Sequence, residues 1–155
     1  MYTICYVEDE ADLSTLIKTY LEKAGYKVVC FDKGIDAINY IGEQVDLWIL
    51  DIMLKDGVSG YDIIKEIREK DLTTPVIFTS ARDHDLDKIL GLELGSDDYI
   101  TKPFSPKELV LRVNNIIKRV YNNKESSTIN YLDYVIDIKK RNVFLNKKEI
   151  KLTTL

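Results

Sequence analysis

The feature that most constrains the fold is a fivefold alternation of short apolar runs with longer segments of helical periodicity. The apolar runs lie at 3–7, 26–30, 47–50, 76–79 and 98–100. Most of them are nearly continuous in apolar residues, as expected for strands covered on both faces. Strands that alternate with helices are most economically arranged as a parallel sheet with helices on both sides. The sequence therefore predicts an α/β fold with a doubly wound sheet of five parallel strands.

The ends of the helices are marked by residues that favour helix starts and stops. Gly25 follows the first periodic segment and Gly95 follows the fourth, where a glycine commonly ends a helix. The last periodic segment opens with Ser105 as an N-cap residue, Pro106 at the first helical position and Glu108 at the third. These signals divide the first 121 residues into five strand–helix units.

The character of the sequence changes after residue 121. Residues 122–127 are polar and lack periodicity, so we interpret them as a linker. Residues 128–155 contain four short strand-like runs separated by polar turns, which predicts a short antiparallel β meander. Residues 1–121 carry seven more acidic than basic residues, whereas the remainder carries three more basic than acidic ones. We therefore expect two modules, 1–121 and 128–155.

Composition excludes several classes of protein. No apolar run approaches the roughly 20 residues that a membrane helix needs. The first ten residues lack a basic start and turn acidic at once, unlike a signal peptide. Cys5 and Cys30 are too widely spaced to indicate a metal site or a disulfide framework, so we interpret them as small buried hydrophobes. We expect a soluble, cytoplasmic protein without membrane contact.

Polar residues follow four of the five predicted strands. They are Glu8 and Asp9 after the first strand, Asp51 after the third, Ser80 at the end of the fourth and Lys102 after the fifth. Because the carboxyl ends of parallel strands meet at one edge of the sheet, these side chains should share one crevice. The crevice would hold three carboxylates, a hydroxyl and an ammonium group.

Such a set of groups suits phosphoryl transfer to a carboxylate. Clustered carboxylates stay ionised only beside a cation, and Mg²⁺, or Mn²⁺ in its place, prefers such oxygen ligands. Asp51 is the best nucleophile because it is the lone acid at the end of a central strand. Glu8 and Asp9 are better placed to hold the metal, and the backbone carbonyl of Met53 could complete its shell. Lys102 and a hydroxyl would then contact phosphoryl oxygens.

Each of these residues also has a plainer explanation. The acidic run 8–10 could cap the first helix and interact with its dipole, about as readily as it could bind metal. Asp51 could be an ordinary loop acid, Ser80 a strand-end hydroxyl and Lys102 a solvated lysine. Their joint placement at four strand ends favours a functional site over these separate explanations.

Five motifs make a resemblance specific. They are VEDE at 7–10, LDIML at 50–54, TSAR at 79–82, GSDDYI at 95–100 and TKPF at 101–104. In this order and spacing, residues 1–121 resemble the receiver domains of bacterial two-component response regulators, and they are most similar to the OmpR/PhoB winged-helix subfamily. The resemblance implies a flavodoxin-like or CheY-like (βα)5 fold.

The resemblance also implies roles for the acidic crevice. Glu8, Asp9, Asp51 and the Met53 carbonyl would bind Mg²⁺. Asp51 would accept a phosphoryl group from a sensor histidine kinase, and Lys102 would contact that group. The protein would then be a phosphorylation-dependent switch that dephosphorylates itself slowly and is not a turnover enzyme.

A conformational switch is implied as well. Phosphorylation would draw the Ser80 hydroxyl toward Asp51, and the space vacated would admit the ring of Tyr99. The Lys102–Pro103 peptide would be cis. Without the motif around it, Tyr99 would be interpreted as a surface tyrosine on an edge strand.

In this subfamily the switched surface, formed by the fourth helix, the fifth strand and the fifth helix, pairs with a second copy. The residues placed on this dimer face are Lys88, Glu93, Asp98, Glu108 and Arg112. The chain departs from the pattern at Asn114, where a basic residue is common, so one pairing across the dimer would be missing.

Residues 128–155 resemble the first sheet of a winged-helix DNA-binding domain, and 152–155 resemble the start of its first helix. The helix that would enter a DNA groove does not follow within the sequence. We therefore expect transcription regulation through DNA only from a longer chain.

Two other function classes remain open. One is a binding module that uses the same face without phosphorylation. The other is a phosphatase-type enzyme with an aspartyl nucleophile, which generally needs a second acid two residues beyond the nucleophile. Met53 occupies that position, which argues against turnover.

Overall fold

The computed structural model describes residues 1–81 and 85–122, and the side chains of 82–88 lie outside the description. The strands are β1 (Thr3–Val7), β2 (Lys27–Phe31), β3 (Leu47–Asp51), β4 (Val76–Ser80) and β5 (Asp98–Thr101). The helices are α1 (Ala11–Lys23), α2 (Gly34–Asn39), α3 (Gly60–Lys70), α4 (Asp85–Glu93) and α5 (Pro106–Ile117), followed by a π-helical turn at Lys118–Asn122. No helix among these residues is long and apolar enough to cross a membrane.

The five strands form one parallel sheet in the order β2-β1-β3-β4-β5. The chain first moves outward from β1 to β2, and then crosses back over β1 to β3. This reversal leaves a crevice at the carboxyl ends of β1 and β3, where open α/β sheets bind ligands. The predicted doubly wound five-stranded sheet is therefore confirmed.

The sheet is covered on both faces, as its continuous apolar strands predicted. One face packs with α2 and α3 into a core cluster built around Trp48, Leu50, Ile63, Ile67 and Phe78. Strand residues alternate between faces, so the intervening buried residues point to the other side. Helix α1 packs on β1 and β2, and α1 and α5 bury apolar residues outside that cluster: Ile17, Leu21, Leu109 and Val113.

Local signals in the sequence fall where the helices begin and end. Gly25 and Gly95 adopt positive φ angles of 99° and 93° at the ends of α1 and α4. The Ser105 hydroxyl accepts a hydrogen bond of 3.0 Å from the Glu108 amide, as its N-cap position predicts. Strands β3 and β4 each extend one residue further than predicted, so Asp51 and Ser80 are the last residues of their strands.

The structure leaves the predicted domain boundary untested. Residues Met1–Val113 form one compact unit, and a second unit begins at Asn114, inside α5. Of the second unit, residues 114–122 are described, and they contain the end of α5 and the π-helical turn. The predicted linker starts at the last residue of that turn, and the predicted meander at 128–155 lies outside the described residues.

Candidate functional site

The three predicted carboxylates meet at the crevice between β1 and β3. One carboxylate oxygen from each of Glu8, Asp9 and Asp51 lies within 4.8 Å of the others. Strand register explains the approach, because Val7 of β1 pairs with Leu50 of β3, which places the residue after each side by side. Glu8 and Asp51 are 1% and 4% exposed, whereas Asp9 is half-buried. Two negative charges are thus largely removed from water.

Lys102 supplies the positive charge of this crevice. Its Nζ lies 2.9 Å from Glu8 Oε1 and 3.2 Å from Asp51 Oδ2. Its backbone amide donates a 2.7 Å hydrogen bond to the carbonyl of Ser80, which fixes the loop after β5 against the end of β4. Burial lowers the pKa of Lys102, but the hydrogen bond to Glu8 and the charge of Asp51 outweigh it and raise that pKa. The ammonium group therefore stays charged.

Backbone amides hold three further carboxylate oxygens. The Met53 amide donates to Asp51 Oδ1 at 3.3 Å, and the Lys55 amide donates to Asp9 Oδ2 at 2.7 Å. Glu8 Oε2 accepts from the amide of Glu10 at 3.1 Å. The loop after β3 thus orients two of the acids, and the loop after β1 orients the third.

Capping of α1 does not account for the acidic run. Glu10 is the N-cap residue of α1, and its side chain makes no capping hydrogen bond. Glu8 Oε1 instead faces Lys102 across the crevice. The carboxylate of Asp9 accepts a hydrogen bond from the amide of Lys55, which lies in the loop between β3 and α3. The acids are thus arranged around the crevice rather than around the helix end.

The negative charges of the crevice exceed the positive charge that Lys102 supplies. Burial, and next the charge of Glu8, raise the pKa of Asp51 to about 6, although Lys102 and the Met53 amide act in the opposite direction. One ammonium group therefore does not fully offset the buried carboxylates. A divalent cation with a preference for oxygen would, and the three carboxylate oxygens are the ligands that Mg²⁺ prefers. The residues present fit such an ion.

Strand β4 ends in two hydroxyl-bearing residues, Thr79 and Ser80. Ser80 is fully buried. Thr79 pairs in register with Asp51, so its side chain projects from the same face of the sheet. Within the part of the chain that the structure describes, its buried Oγ1 has no hydrogen-bond partner. The sequence analysis included Thr79 only in the motif at 79–82. Its position opposite Asp51 was not deducible from composition.

Tyr6 is a residue that the sequence analysis missed. It lies in β1, is fully buried, and donates its hydroxyl hydrogen bond to Glu8 Oε1 at 3.4 Å. The available signal was a polar-tipped side chain within an apolar strand, two residues before Glu8 and therefore on the same face. An aromatic residue in an apolar strand is commonly a packing residue, so this signal is weak.

Tyr99 packs on the core rather than standing free on the edge strand. Its ring lies 6.5 Å from the ring of Phe78 at an interplanar angle of 67°, and Phe78 in turn contacts Tyr61. A Cβ added at Gly91 of α4 would lie 3.0 Å from Phe78 and 3.4 Å from Tyr99. The glycine thus allows α4 to approach both rings closely.

The predicted dimer-face residues are partly paired within the chain. Arg112 bonds Asp98 at 2.8 Å and Glu108 at 3.2 Å, and the hydrogen bond to Asp98 is the main reason that the pKa of Arg112 is raised. Glu93 is exposed, and the side chain of Lys88 lies outside the described residues. The Lys102–Pro103 peptide is cis, as predicted.

Comparison with known proteins agrees with this geometry. Residues 4–114 match the family described as the response regulator receiver domain. The transcriptional regulatory protein CssR of Bacillus subtilis is 54% identical over 120 residues, which are 77% of this chain and 53% of CssR. The response regulator SaeR of Staphylococcus epidermidis is 41% identical over 134 residues, or 86% of this chain and 58% of SaeR. The chain thus spans about half the length of these relatives.

The fold is also similar to that of a solved structure. The receiver domain of DrrB, described as BeF3-activated, is 35% identical and superposes with a TM-score of 0.71. The match covers 77% of this chain and 99% of that domain. A second similar structure, of the response regulator DrrB, is that of a Thermotoga maritima OmpR/PhoB homolog.

Proposed function

This chain belongs to the family of response regulator receiver domains, and from that membership we propose that it is switched by phosphoryl transfer to Asp51. The family is one of signalling domains rather than turnover enzymes. The phosphoryl donor would be a sensor histidine kinase, and the relatives named above would share the reaction. The observation that carries the proposal is the convergence of Glu8, Asp9, Asp51 and Lys102 on one crevice.

The residues of the crevice divide the reaction among them. An oxygen of Asp51 forms a bond to phosphorus as the bond from phosphorus to the donor nitrogen breaks. Glu8, Asp9, Asp51 and the Met53 carbonyl would hold Mg²⁺ or Mn²⁺, which supplies positive charge to offset the carboxylates and the phosphoryl oxygens. Lys102, already 3.2 Å from Asp51 Oδ2, is within reach to donate a charge-assisted hydrogen bond to a phosphoryl oxygen.

The end of β4 would convey the change to the surface. Ser80 lies buried at the end of β4, next to the strand that ends in Asp51, from which its hydroxyl could contact a phosphoryl oxygen. Tyr99 lies in the adjacent strand β5 and packs on Phe78 of β4. A shift of β4 toward Asp51 would therefore alter the packing of Tyr99 on Phe78, and with it the surface formed by α4, β5 and α5.

The output would be association of two copies through α4, β5 and α5. Arg112 would exchange part of its intrachain pairing with Asp98 and Glu108 for contacts across the dimer. Exposed ion pairs are individually weak, so the exchange would cost little in either direction. In a longer chain this association would regulate transcription through DNA, as the name of the relative CssR, a transcriptional regulatory protein, suggests for that protein.

Mass spectrometry tests the proposal directly. The chain is incubated with Mg²⁺ and a small phosphodonor such as acetyl phosphate, and its intact mass is recorded over minutes. We expect one phosphoryl adduct that is absent in Asp51→Asn and retained in Asp46→Asn. Asp46 is a suitable control because its carboxylate accepts hydrogen bonds from Thr3 and Gln44 at the end of β3 opposite Asp51.

The two alternatives give different results in the same experiment. A binding module that needs no phosphorylation would give no adduct with any variant. A phosphatase-type enzyme would release phosphate with continuous turnover, and a general acid would be needed two residues beyond Asp51. Met53 stands there with 58% of its surface exposed, so the crevice offers no such acid at that position.

A further inference from the structure

Tyr6 is a buried polar group that the proposed reaction does not use. It is fully buried in β1, between Cys30 of β2 and Ile49 of β3 in the strand register. A tyrosine hydroxyl removed from water needs a hydrogen-bond partner, and this one bonds Glu8 Oε1 at 3.4 Å. The tyrosine hydroxyl has one hydrogen to donate and a carboxylate oxygen can only accept, so Tyr6 acts toward Glu8 as the donor.

Among the described residues Glu8 has three donors, and one of them, Lys102, also contacts Asp51. Lys102 and Tyr6 both approach Oε1, whereas the Glu10 amide binds Oε2. The side chain of Lys102 is 17% exposed. In the proposed reaction Lys102 turns to the phosphoryl group, and Oε1 of Glu8 then loses its charged partner. The Glu10 amide still holds Oε2, but the buried Oε1 then needs another donor.

Tyr6 is the donor that stays. Its ring is enclosed on a central strand and cannot follow Lys102, so its hydroxyl remains below Glu8 whichever way the lysine points. The separation of 3.4 Å is long for a hydroxyl–carboxylate bond. Departure of Lys102 would let the carboxylate settle closer to the hydroxyl.

We propose that Tyr6 is a positioning residue for the cation site, which holds the Glu8 carboxylate in place for the metal when Lys102 leaves it. The inference rests on the proposed function, because it assumes that Glu8 takes part in binding a divalent cation. Tyr6 touches neither the cation nor the phosphoryl group and acts only through Glu8. Removal of such an outer partner of a metal ligand typically weakens metal binding about 10-fold or more.

The test compares Mg²⁺ affinity between matched variants of the whole chain. Isothermal titration with Mg²⁺ is expected to give a dissociation constant about 10-fold higher for Tyr6→Phe than for the wild type. Tyr26→Phe is the control, because Tyr26 directly precedes β2 and therefore lies at the end of the sheet opposite the crevice. It should leave the affinity unchanged.

A double-mutant cycle separates positioning from general destabilisation. If Tyr6 acts through Glu8, then Tyr6→Phe should change Mg²⁺ affinity much less in a Glu8→Gln background than in the wild type. Adduct formation by Tyr6→Phe should also recover when Mg²⁺ is raised above its weakened dissociation constant. Equal effects in both backgrounds, or a rate defect that excess Mg²⁺ does not relieve, would overturn the inference.

Failure of the inference and failure of the proposed function can be told apart. A wild type that does not bind Mg²⁺ overturns both, whereas equal affinity of wild type and Tyr6→Phe overturns the role of Tyr6 alone. If Tyr6→Phe does not fold, 3-fluorotyrosine is incorporated at position 6 and its ¹⁹F resonance is followed during Mg²⁺ titration. A shift that saturates with binding supports the inference, and an unmoved resonance contradicts it.

Discussion

Without a cation, Asp51 should destabilise the folded chain at neutral pH. Its pKa is raised from 3.8 to about 6, first by burial and then by the charge of Glu8. A raised carboxyl pKa means that the folded state binds the proton more tightly than the unfolded chain. The stability contributed by this proton is complete below pH 3.8 and is lost as the pH rises through about 6.

The size of the effect follows from the shift. It amounts to roughly two pKa units, and each unit corresponds to ~1.4 kcal/mol. At neutral pH the ionised Asp51 therefore lowers the free energy of unfolding by about 3 kcal/mol at most. Asp51→Asn removes the charge and keeps an oxygen that Lys102 can still contact. We expect this variant to be more stable than the wild type by about 1–3 kcal/mol, because relaxation of the site reduces the full value.

Urea unfolding in the presence of a chelator measures this difference. The gain of Asp51→Asn should be present near pH 7 and should disappear near pH 4, where Asp51 is protonated in the folded wild type. Asp46→Asn is the matched control, and it should lose stability because the Asp46 carboxylate accepts the 2.8 Å hydrogen bond of the Thr3 amide. Excess Mg²⁺ should stabilise the wild type by mass action and reverse the order of wild type and Asp51→Asn.

Two results would refute this reasoning. Asp51→Asn could be less stable than the wild type at neutral pH without cation, which would mean that Lys102 more than offsets the burial of the carboxylate. Alternatively, the gain could persist unchanged at pH 4, which would separate it from the charge of Asp51. Either outcome would remove the electrostatic argument for a cation at this crevice.

Three further substitutions test the structure that supports the crevice. For each, urea unfolding should show a lower midpoint with an unchanged slope. Ser59→Ala should lower the free energy of unfolding by about 1 kcal/mol, because Ser59 forms a capping box with Asp62 at the start of α3, and an unchanged midpoint would show that this cap does not stabilise the fold. Arg68→Met should lower the free energy of unfolding by about 2 kcal/mol, since the Arg68 guanidinium donates hydrogen bonds to three backbone carbonyls at 2.8–3.2 Å. A loss below ~0.5 kcal/mol would show that these hydrogen bonds contribute little to stability. Gly60→Ala should cost about 1–3 kcal/mol, because its Cβ would lie 2.8 Å from the Asp51 carbonyl oxygen, and wild-type stability would show that α3 can shift freely.

The sequence was sufficient for the sheet and for the set of acids, since both depend on periodicity. Apolar runs that alternate with helices specify parallel strands, and parallel strands place their following residues at one edge. Glu8, Asp9, Asp51 and Lys102 meet as that rule requires. No side-chain geometry was needed to predict their convergence.

The sequence did not predict which side chains contact each other within the crevice. Lys102 was expected beside Asp51, but its shorter contact is with Glu8. That preference depends on the path of the loop after β5 and on the rotamer of a four-carbon side chain. Tyr6 was missed for a similar reason, because only the close approach of β1 and its loop reveals that its hydroxyl reaches Glu8.

The surface of α5 shows the same limit. Asp98, Glu108 and Arg112 were expected to pair with a second copy, yet they bond one another within the chain. Residues four apart on a helix are neighbours, so the Glu108–Arg112 contact followed from spacing alone. The contact with Asp98 joins β5 to α5, and it needed the tertiary structure. Whether these residues also pair across a dimer stays a prediction.

The central claim is that one crevice binds a divalent cation and a phosphoryl group together. Crystals grown with Mn²⁺ and beryllium fluoride test it in one diffraction experiment, because Mn²⁺ is located by its anomalous scattering. We predict one Mn²⁺ peak at the oxygens of Glu8, Asp9, Asp51 and the Met53 carbonyl. We also predict fluoroberyllate on the other oxygen of Asp51, and Lys102 turned from Glu8 to a fluorine atom. A Mn²⁺ peak elsewhere, or an unmodified Asp51 with Lys102 still bridging to Glu8, would contradict the claim.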